Sequence, residues 1–225
     1  MRKKEALKKE KFNHEKSGPV GAGSGMSGRI FSVIKFILGV CLLPFVYAIT
    51  TSLISELSLV AKIQQGYFWA GAATLLLLHL FIWEPQVIYD KGHRLLEVVF
   101  SFFQPLVKVA PYLLPIYTIF LLIIYGVLSI SIKSAWLVDA CIFFLGFTTS
   151  LHLIFCARTL RVQKGDLLKA NYIFGFSFIY IVNLGLLGLC LGAITQEFSA
   201  VNFFTNSLQA GSDIFYAVFK QLFLH

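Results

Sequence analysis

Charged residues are scarce in this 225-residue chain: Asp, Glu, Lys and Arg make up 13% of it, about half the share found in ordinary soluble domains. Apolar residues make up 57%, and the mean hydropathy is +0.78. This shortage of charge excludes a typical cytosolic globular protein. It also argues against a disordered chain, because disordered chains are rich in charge and poor in aromatic residues, whereas Phe alone occurs 23 times here.

Cysteine is scarce as well, and its positions are uninformative. The four residues lie inside apolar stretches, at Cys41, Cys141, Cys156 and Cys190. No two of them are close enough in sequence for a zinc knuckle or a redox pair. We therefore expect them to be small buried apolar residues.

Acidic residues are outnumbered, with 11 Asp and Glu against 19 Lys and Arg, for a net charge of +8. Much of the excess lies in a basic tail that, with a Gly/Ser-rich linker, occupies residues 1–28. This composition predicts a disordered segment. The tail has neither a folded nucleic-acid-binding domain nor a surface of aromatic side chains on which bases could stack, so we expect no nucleic-acid partner.

Long apolar runs fill most of the remaining chain. Five of them cover residues 36–54, 67–88, 109–132, 135–157 and 171–194. Each is close to the length that a helix needs to cross the hydrocarbon core, and lipid offers no partner to an unpaired backbone group. The sequence predicts an all-α polytopic membrane protein in the lipid bilayer, with about five transmembrane helices over residues 29–200, short interfacial helices and an amphipathic helix over residues 201–225.

The distribution of Lys and Arg predicts the orientation of these helices. With the N-terminus inside, sixteen of the 19 basic residues lie on the inner side, and only Lys62, Lys133 and Lys220 lie outside. Five spans then place the C-terminus outside. Residues around Ala48 resemble a signal-peptide cleavage site, but the charged region before them is too long for a usual signal peptide, so we expect an uncleaved first span.

Ionisable residues inside a bilayer cost free energy unless they are paired or hydrated, so each is a functional candidate. The predicted topology places six of them at the inner level of the membrane: His79, Glu84, His93, Glu97, His152 and Asp166. Arg94 and Gln163 are further polar candidates on the same side. The sequence alone does not establish that these residues meet.

His93 and Glu97 are four residues apart, which places both on one face of a helix. A His and a carboxylate in this arrangement can bind one zinc ion, with a third ligand from His152 or Asp166. The alternative is a helix surface on which Arg94 pairs with Glu97. Spacing alone favours that simpler interpretation.

Residues 92–97 read Gly-His-Arg-Leu-Leu-Glu, which resembles a degenerate form of the Gly-His-Glu-x-x-His motif of site-2-protease-type membrane zinc metallopeptidases. Residues 109–117, which read Val-Ala-Pro-Tyr-Leu-Leu-Pro-Ile-Tyr, are similar to the start of the following span in some bacterial members. His152 and the segment from Gln163 to Asp166 stand where such proteins place a His and an acidic element. The resemblance covers about residues 67–194 and implies a bacterial cytoplasmic membrane.

The departures from this family pattern concern the catalytic positions. The resemblance implies that His93 is the first zinc ligand, but Arg94 stands where the family has its general base and Glu97 where it has its second ligand. Arg stays protonated and cannot act as that base, whereas a carboxylate can still bind zinc. The resemblance therefore implies a peptidase scaffold that has lost its hydrolytic centre.

Four hypotheses follow. The first is a non-catalytic protein that binds a transmembrane or juxtamembrane segment of a partner. The second is a zinc-binding enzyme with a rearranged site, in which Glu84 is the nearest carboxylate that could act as the base. The third is a small transporter whose polar path is lined by His79, Glu84 and His152. The fourth is a structural subunit, and the sequence leaves the oligomeric state open.

The fifth apolar run also contains Gly188 and Gly192, a small-xxx-small pattern that permits close contact between helices. We expect it to serve packing within the same bundle rather than dimerisation.

Overall fold

The long apolar runs form helices in the computed structural model, which describes residues 26–81, 113–162 and 168–223. Within these ranges the secondary structure is helical and contains no strand. The helices are α1 (Met26–Leu59), α2 (Lys62–Phe81), α3 (Ile116–Ser131), α4 (Ala135–Val162), α5 (Leu168–Ile194) and α6 (Ala200–Phe223). The prediction of an all-α protein is therefore confirmed for the described residues.

Three of the described helices are long and apolar enough to cross a membrane. These segments are Val33–Leu59, Ala135–Leu160 and Tyr172–Ile194, and they match the first, fourth and fifth predicted runs. The second run begins within α2, and the third forms α3, a shorter apolar helix of 16 residues. A total of five transmembrane helices stays a prediction.

The first helix is longer than its apolar run predicts. It begins at Met26, inside the predicted linker, and continues to Leu59, five residues beyond the predicted end. The side chain of Gln65 then closes the turn into α2, because its Nε2 donates to the carbonyl oxygens of Ser58 at 3.0 Å and Val60 at 2.6 Å. These bonds satisfy carbonyl groups that the end of α1 would otherwise leave unpaired.

Glycines allow α2 and α4 to cross with their backbones in contact. A Cβ atom added at Gly71 would collide with the carbonyl oxygen of Phe143, and one added at Gly146 would collide with the carbonyl oxygen of Phe68. Each helix therefore presents its glycine to the backbone of the other. Any larger residue at either position would have to push the two helices apart.

The remaining helices assemble around α5. Gly39 of α1 lies against the backbone of Phe174, and farther along both helices the Thr50 hydroxyl lies 3.1 Å from the hydroxyl of Tyr180, so α1 and α5 run parallel. Leu160, near the end of α4, packs on Gly175, near the start of α5. The helices α4 and α5 are therefore antiparallel.

The last helix, α6, lies along α1 and α5 and runs antiparallel to both. The ring of Phe203 sits on Gly188 of α5, and two turns later Gly211 receives the ring of Phe45 of α1. Ser199 caps the start of this helix, because its hydroxyl accepts a bond of 3.2 Å from the backbone N–H of Asn202. The amphipathic helix predicted over residues 201–225 is present and is packed on the bundle.

The small-xxx-small pattern of α5 serves this same packing. Gly188 accommodates Phe203, and a Cβ atom added at Gly192 would lie 3.0 Å from the Cβ of Ala200. Both glycines therefore face α6 of the same chain. The expectation that they pack within one bundle is confirmed.

Candidate functional site

Most of the predicted site residues lie outside the described residues. These are Glu84, His93, Arg94, Glu97, Gln163 and Asp166. His79 and His152 are the two that lie within them. A zinc site formed by His93 and Glu97 with His152 or Asp166 therefore stays a prediction.

His152 lies in the interior of the bundle, on α4, and only 3% of its surface is exposed. Its Nε2 atom lies 3.5 Å from Sγ of Cys156, one turn farther along the same helix. The pair is a buried imidazole–thiol contact, in which one group donates to the other according to the tautomer. The sequence predicts Cys156 to be a small buried apolar residue and does not predict this pairing, although the i, i+4 spacing of a His and a Cys is a signal for it.

The distance between these two atoms also suits metal binding. A tetrahedral zinc ion with a Zn–N bond of about 2.0 Å and a Zn–S bond of about 2.3 Å holds the two ligand atoms about 3.5 Å apart. Among residues 26–81, 113–162 and 168–223, no three His, Cys, Asp or Glu side chains form a group that could hold a metal ion. Complete coordination would therefore need a ligand from the rest of the chain.

His79 lies in the last turn of α2 and is half-buried. Its Nδ1 atom is shielded from solvent and has no hydrogen-bond partner within the described part of the chain. A buried polar atom without a partner costs free energy. His79 therefore remains a candidate for binding a polar group at this end of α2.

Asn183 is a buried polar residue near the middle of the candidate span Tyr172–Ile194. The Asn183 side chain donates to the carbonyl oxygen of Ile179 at 2.8 Å, while its own Oδ1 is buried and unpartnered among the described residues. Such an oxygen can accept a bond from water or from a small ligand.

Glu56 is a buried carboxylate that the sequence analysis missed. It is 4% exposed, and its Oε2 has no hydrogen-bond partner in the described ranges. The predicted first apolar run ends at Ile54, so Glu56 falls outside the predicted spans. The signal was present in the sequence, since Leu57, Leu59 and Val60 continue the apolar run past Glu56.

One side of α6 is exposed and polar over its first four turns. The α6 outer face consists of Asn202, Thr205, Asn206, Gln209, Ser212 and Asp213. The opposite side of the helix, which includes Phe203, Ser207 and Gly211, is buried against α1 and α5. No described residue forms a hydrogen bond or ion pair with the six side chains of the outer face.

The α6 outer face lies beside the longest candidate span, although α6 itself is not among the described helices that are apolar enough to cross a membrane. Gly211 contacts Phe45, which is near the middle of the segment Val33–Leu59. Gln209, Ser212 and Asp213 are within two residues of Gly211, so they share that level. With 24 residues, α6 is about 36 Å long, which is enough to follow α1 from its C-terminal end back towards Val33.

No protein-family model, curated protein or solved structure matches this chain.

Proposed function

We propose that this chain is an integral membrane protein that acts by binding another membrane-embedded helix rather than by catalysis. The α6 outer face is the observation that carries this proposal, because its six polar side chains point away from the bundle and three of them, Gln209, Ser212 and Asp213, lie beside the middle of the candidate span in α1. Lipid tails offer no hydrogen bonds, and a carboxylate such as that of Asp213 is costly there. A partner helix with polar side chains would satisfy this face.

The proposal includes a membrane topology. Five spans with the N-terminus inside are supported by the distribution of Lys and Arg. Because α6 runs antiparallel to α1 and α5, we propose that it returns after the fifth span as a further segment and ends on the inner side, whereas five spans and a surface helix would leave the C-terminus outside. An inner C-terminus also moves Lys220 inside and leaves only Lys62 and Lys133 outside, which strengthens the charge asymmetry.

We further propose that the chain has a metallopeptidase-like scaffold without catalytic activity, on the basis of its resemblance to site-2-protease-type metallopeptidases. Arg94 occupies the position of their general base, and a guanidinium cannot take a proton from a zinc-bound water. This supports a protein that keeps the helices of such an enzyme without its hydrolytic reaction.

Photo-cross-linking in native membranes tests the proposed function. A photoreactive amino acid at Gln209 should form adducts with protein, because the α6 outer face is covered by a partner. The same amino acid at Ile130 of α3, which is 80% exposed and apolar, should react with lipid. Lipid adducts at both positions would contradict the proposal, since they would leave the outer face in contact with acyl chains.

A zinc-binding protein is the second candidate, and the 3.5 Å distance between His152 and Cys156 favours it. These two residues would hold the ion, with further ligands from His93, Glu97 or Asp166, and the metal would supply a Lewis acid. Under this candidate, purified protein contains close to one zinc per chain, and His152→Ala and Cys156→Ser each lose it while the control Cys190→Ser retains it. Equal zinc content in all four proteins would contradict the candidate.

A further inference from the structure

We infer that the α6 outer face pairs with the same face of a second copy of this chain, the two helices running parallel about a two-fold axis along the membrane normal. The inference rests on the proposed function, because it names the partner that covers this face. It is carried by the heptad arrangement of exposed residues on α6, by the self-complementary chemistry of that face and by its depth.

Exposure on α6 follows a heptad repeat over residues 201–216. With Asn202 taken as position a, every residue at positions a, d, e and g in this range is exposed, and every residue at b, c and f is buried or half-buried. The b, c and f positions face α1 and α5. The a and d positions, which include residues 202, 205, 209 and 212, therefore form a stripe that points away from the bundle, and we call this stripe the seam. A seam of this kind is the geometry with which two parallel helices pack on each other.

The residues of the seam can pair with their own copies. A two-fold axis places each a and d residue opposite its counterpart in the second chain. The carboxamides of Asn202 and Gln209, at two successive a positions, each contain a donor and an acceptor, so that each can bond to its copy. Thr205 and Ser212, at the d positions, are small enough to let the two backbones approach closely.

The charges on the helix are placed so that this pairing avoids repulsion. No a or d position between residues 201 and 219 carries a charge. Asp213 and Lys220 both occupy e positions, at the margin of the seam. Like charges therefore do not face each other across the two-fold axis, as they would if either residue stood at a or d.

The depth of the seam supplies the driving force. Gln209 and Ser212 lie at the level of Phe45, near the middle of the α1 span. In lipid their hydrogen-bonding groups would be unpaired, and pairing between two copies removes that cost. Amide side chains at a positions also fix the register and the number of helices in such pairs.

Disulfide trapping in liposomes tests the inference. The variant Gln209→Cys, in the otherwise unaltered chain, should be converted mainly to a covalent dimer by mild oxidation. The reason is that residue 209 of one copy lies opposite residue 209 of the other copy at the two-fold axis. Leu208→Cys is the matched control, since it is one residue away and exposed but lies at a g position outside the seam. It should give much less dimer, and the unaltered chain reports any dimer formed by the native thiols.

A dissociation constant provides an independent measurement. Energy transfer between donor-labelled and acceptor-labelled copies in liposomes should show a dimer whose dissociation constant rises about threefold to tenfold in Gln209→Leu. The variant Gln209→Asn keeps the carboxamide and should stay close to the wild-type value. If Gln209→Cys does not accumulate, Ser212→Cys at the neighbouring d position replaces it in the trapping experiment.

Equal trapping at positions 208 and 209, or a monomer in the energy-transfer measurement, would overturn the inference. Its failure is distinguishable from failure of the proposed function. If photo-cross-linking at Gln209 joins a different protein while the chain itself stays monomeric, the outer face binds a helix but not a second copy. If it joins only lipid, both proposals are wrong.

Discussion

Replacing Gly146 with Ala should lower the free energy of unfolding by about 2–3 kcal/mol, because the added methyl group would collide with the carbonyl oxygen of Phe68. The obstacle is a backbone atom of a packed helix, so no side chain can rotate away to make room. The helices α2 and α4 must separate instead, and each loses packing along the crossing. Reversible unfolding in mixed micelles, followed by circular dichroism, measures the change.

Two other glycines provide the matched controls. Gly126 of α3 and Gly66 of α2 are also helical, but a Cβ atom added at either would have no atom within 4 Å. Their replacement by Ala should leave the stability unchanged or raise it by up to about 1 kcal/mol, because Ala is the better helix former. If Gly126→Ala were as destabilising as Gly146→Ala, the close approach of α2 and α4 would not be the cause.

Replacing Phe203 with Ala should destabilise the protein by about 3–5 kcal/mol. The Phe203 side chain is 0% exposed and rests on Gly188, where it holds the first turn of α6 against α5. Removing the ring leaves a cavity at this contact, and the glycine opposite has no side chain with which to fill it. The unfolding assay used for Gly146→Ala measures the loss, and limited proteolysis should show earlier cleavage within α6.

Phe215 is the matched control for Phe203. It lies on the same helix, one heptad after Leu208, and 43% of its surface is exposed. Phe215→Ala should change the stability by no more than about 0.5 kcal/mol. Equal losses at both positions would contradict the assignment of the Phe203 side of α6 as its packed face.

The helices themselves could be predicted from the sequence, because apolar runs of about 20 residues leave few other structures in lipid. Their ends were predicted less well. The charged and polar residues Ser55 and Glu56 interrupt the first apolar run, yet α1 continues through them to Leu59. The helix accommodates Glu56 by burying it within the bundle, and the pattern of hydropathy along one segment does not contain that information.

The close contacts between helices could not be predicted. Gly71 and Gly146 are single glycines without a repeat, and they matter only because α2 and α4 cross where each meets the backbone of the other. The pairing of His152 with Cys156 is local to one helix and could have been anticipated from the spacing. The predicted zinc site, in which His152 or Asp166 joins His93 and Glu97, depends on residues far apart in sequence and stays a prediction.

The course of α6 also required the structure. The sequence predicts an amphipathic helix over residues 201–225, which could lie on the membrane surface or pack on the bundle. Amphipathicity alone cannot decide between the two, because a polar face can point towards water or towards a partner. The contacts of Phe203 with Gly188 and of Phe45 with Gly211 place it along α1 and α5.

We propose that α6 runs back alongside α1 and ends on the membrane side of the N-terminal tail, and the accessibility of residue 220 is the decisive test. In sealed membrane vesicles, Lys220→Cys should react with a membrane-impermeant maleimide from the same side as Lys16→Cys in the N-terminal tail, with the unaltered chain as the background. Labelling of the two positions from the same side is the result expected here. Labelling of Lys220→Cys from the side opposite to Lys16→Cys would contradict the account, because α6 would then end on the outer side and its polar face would need no partner.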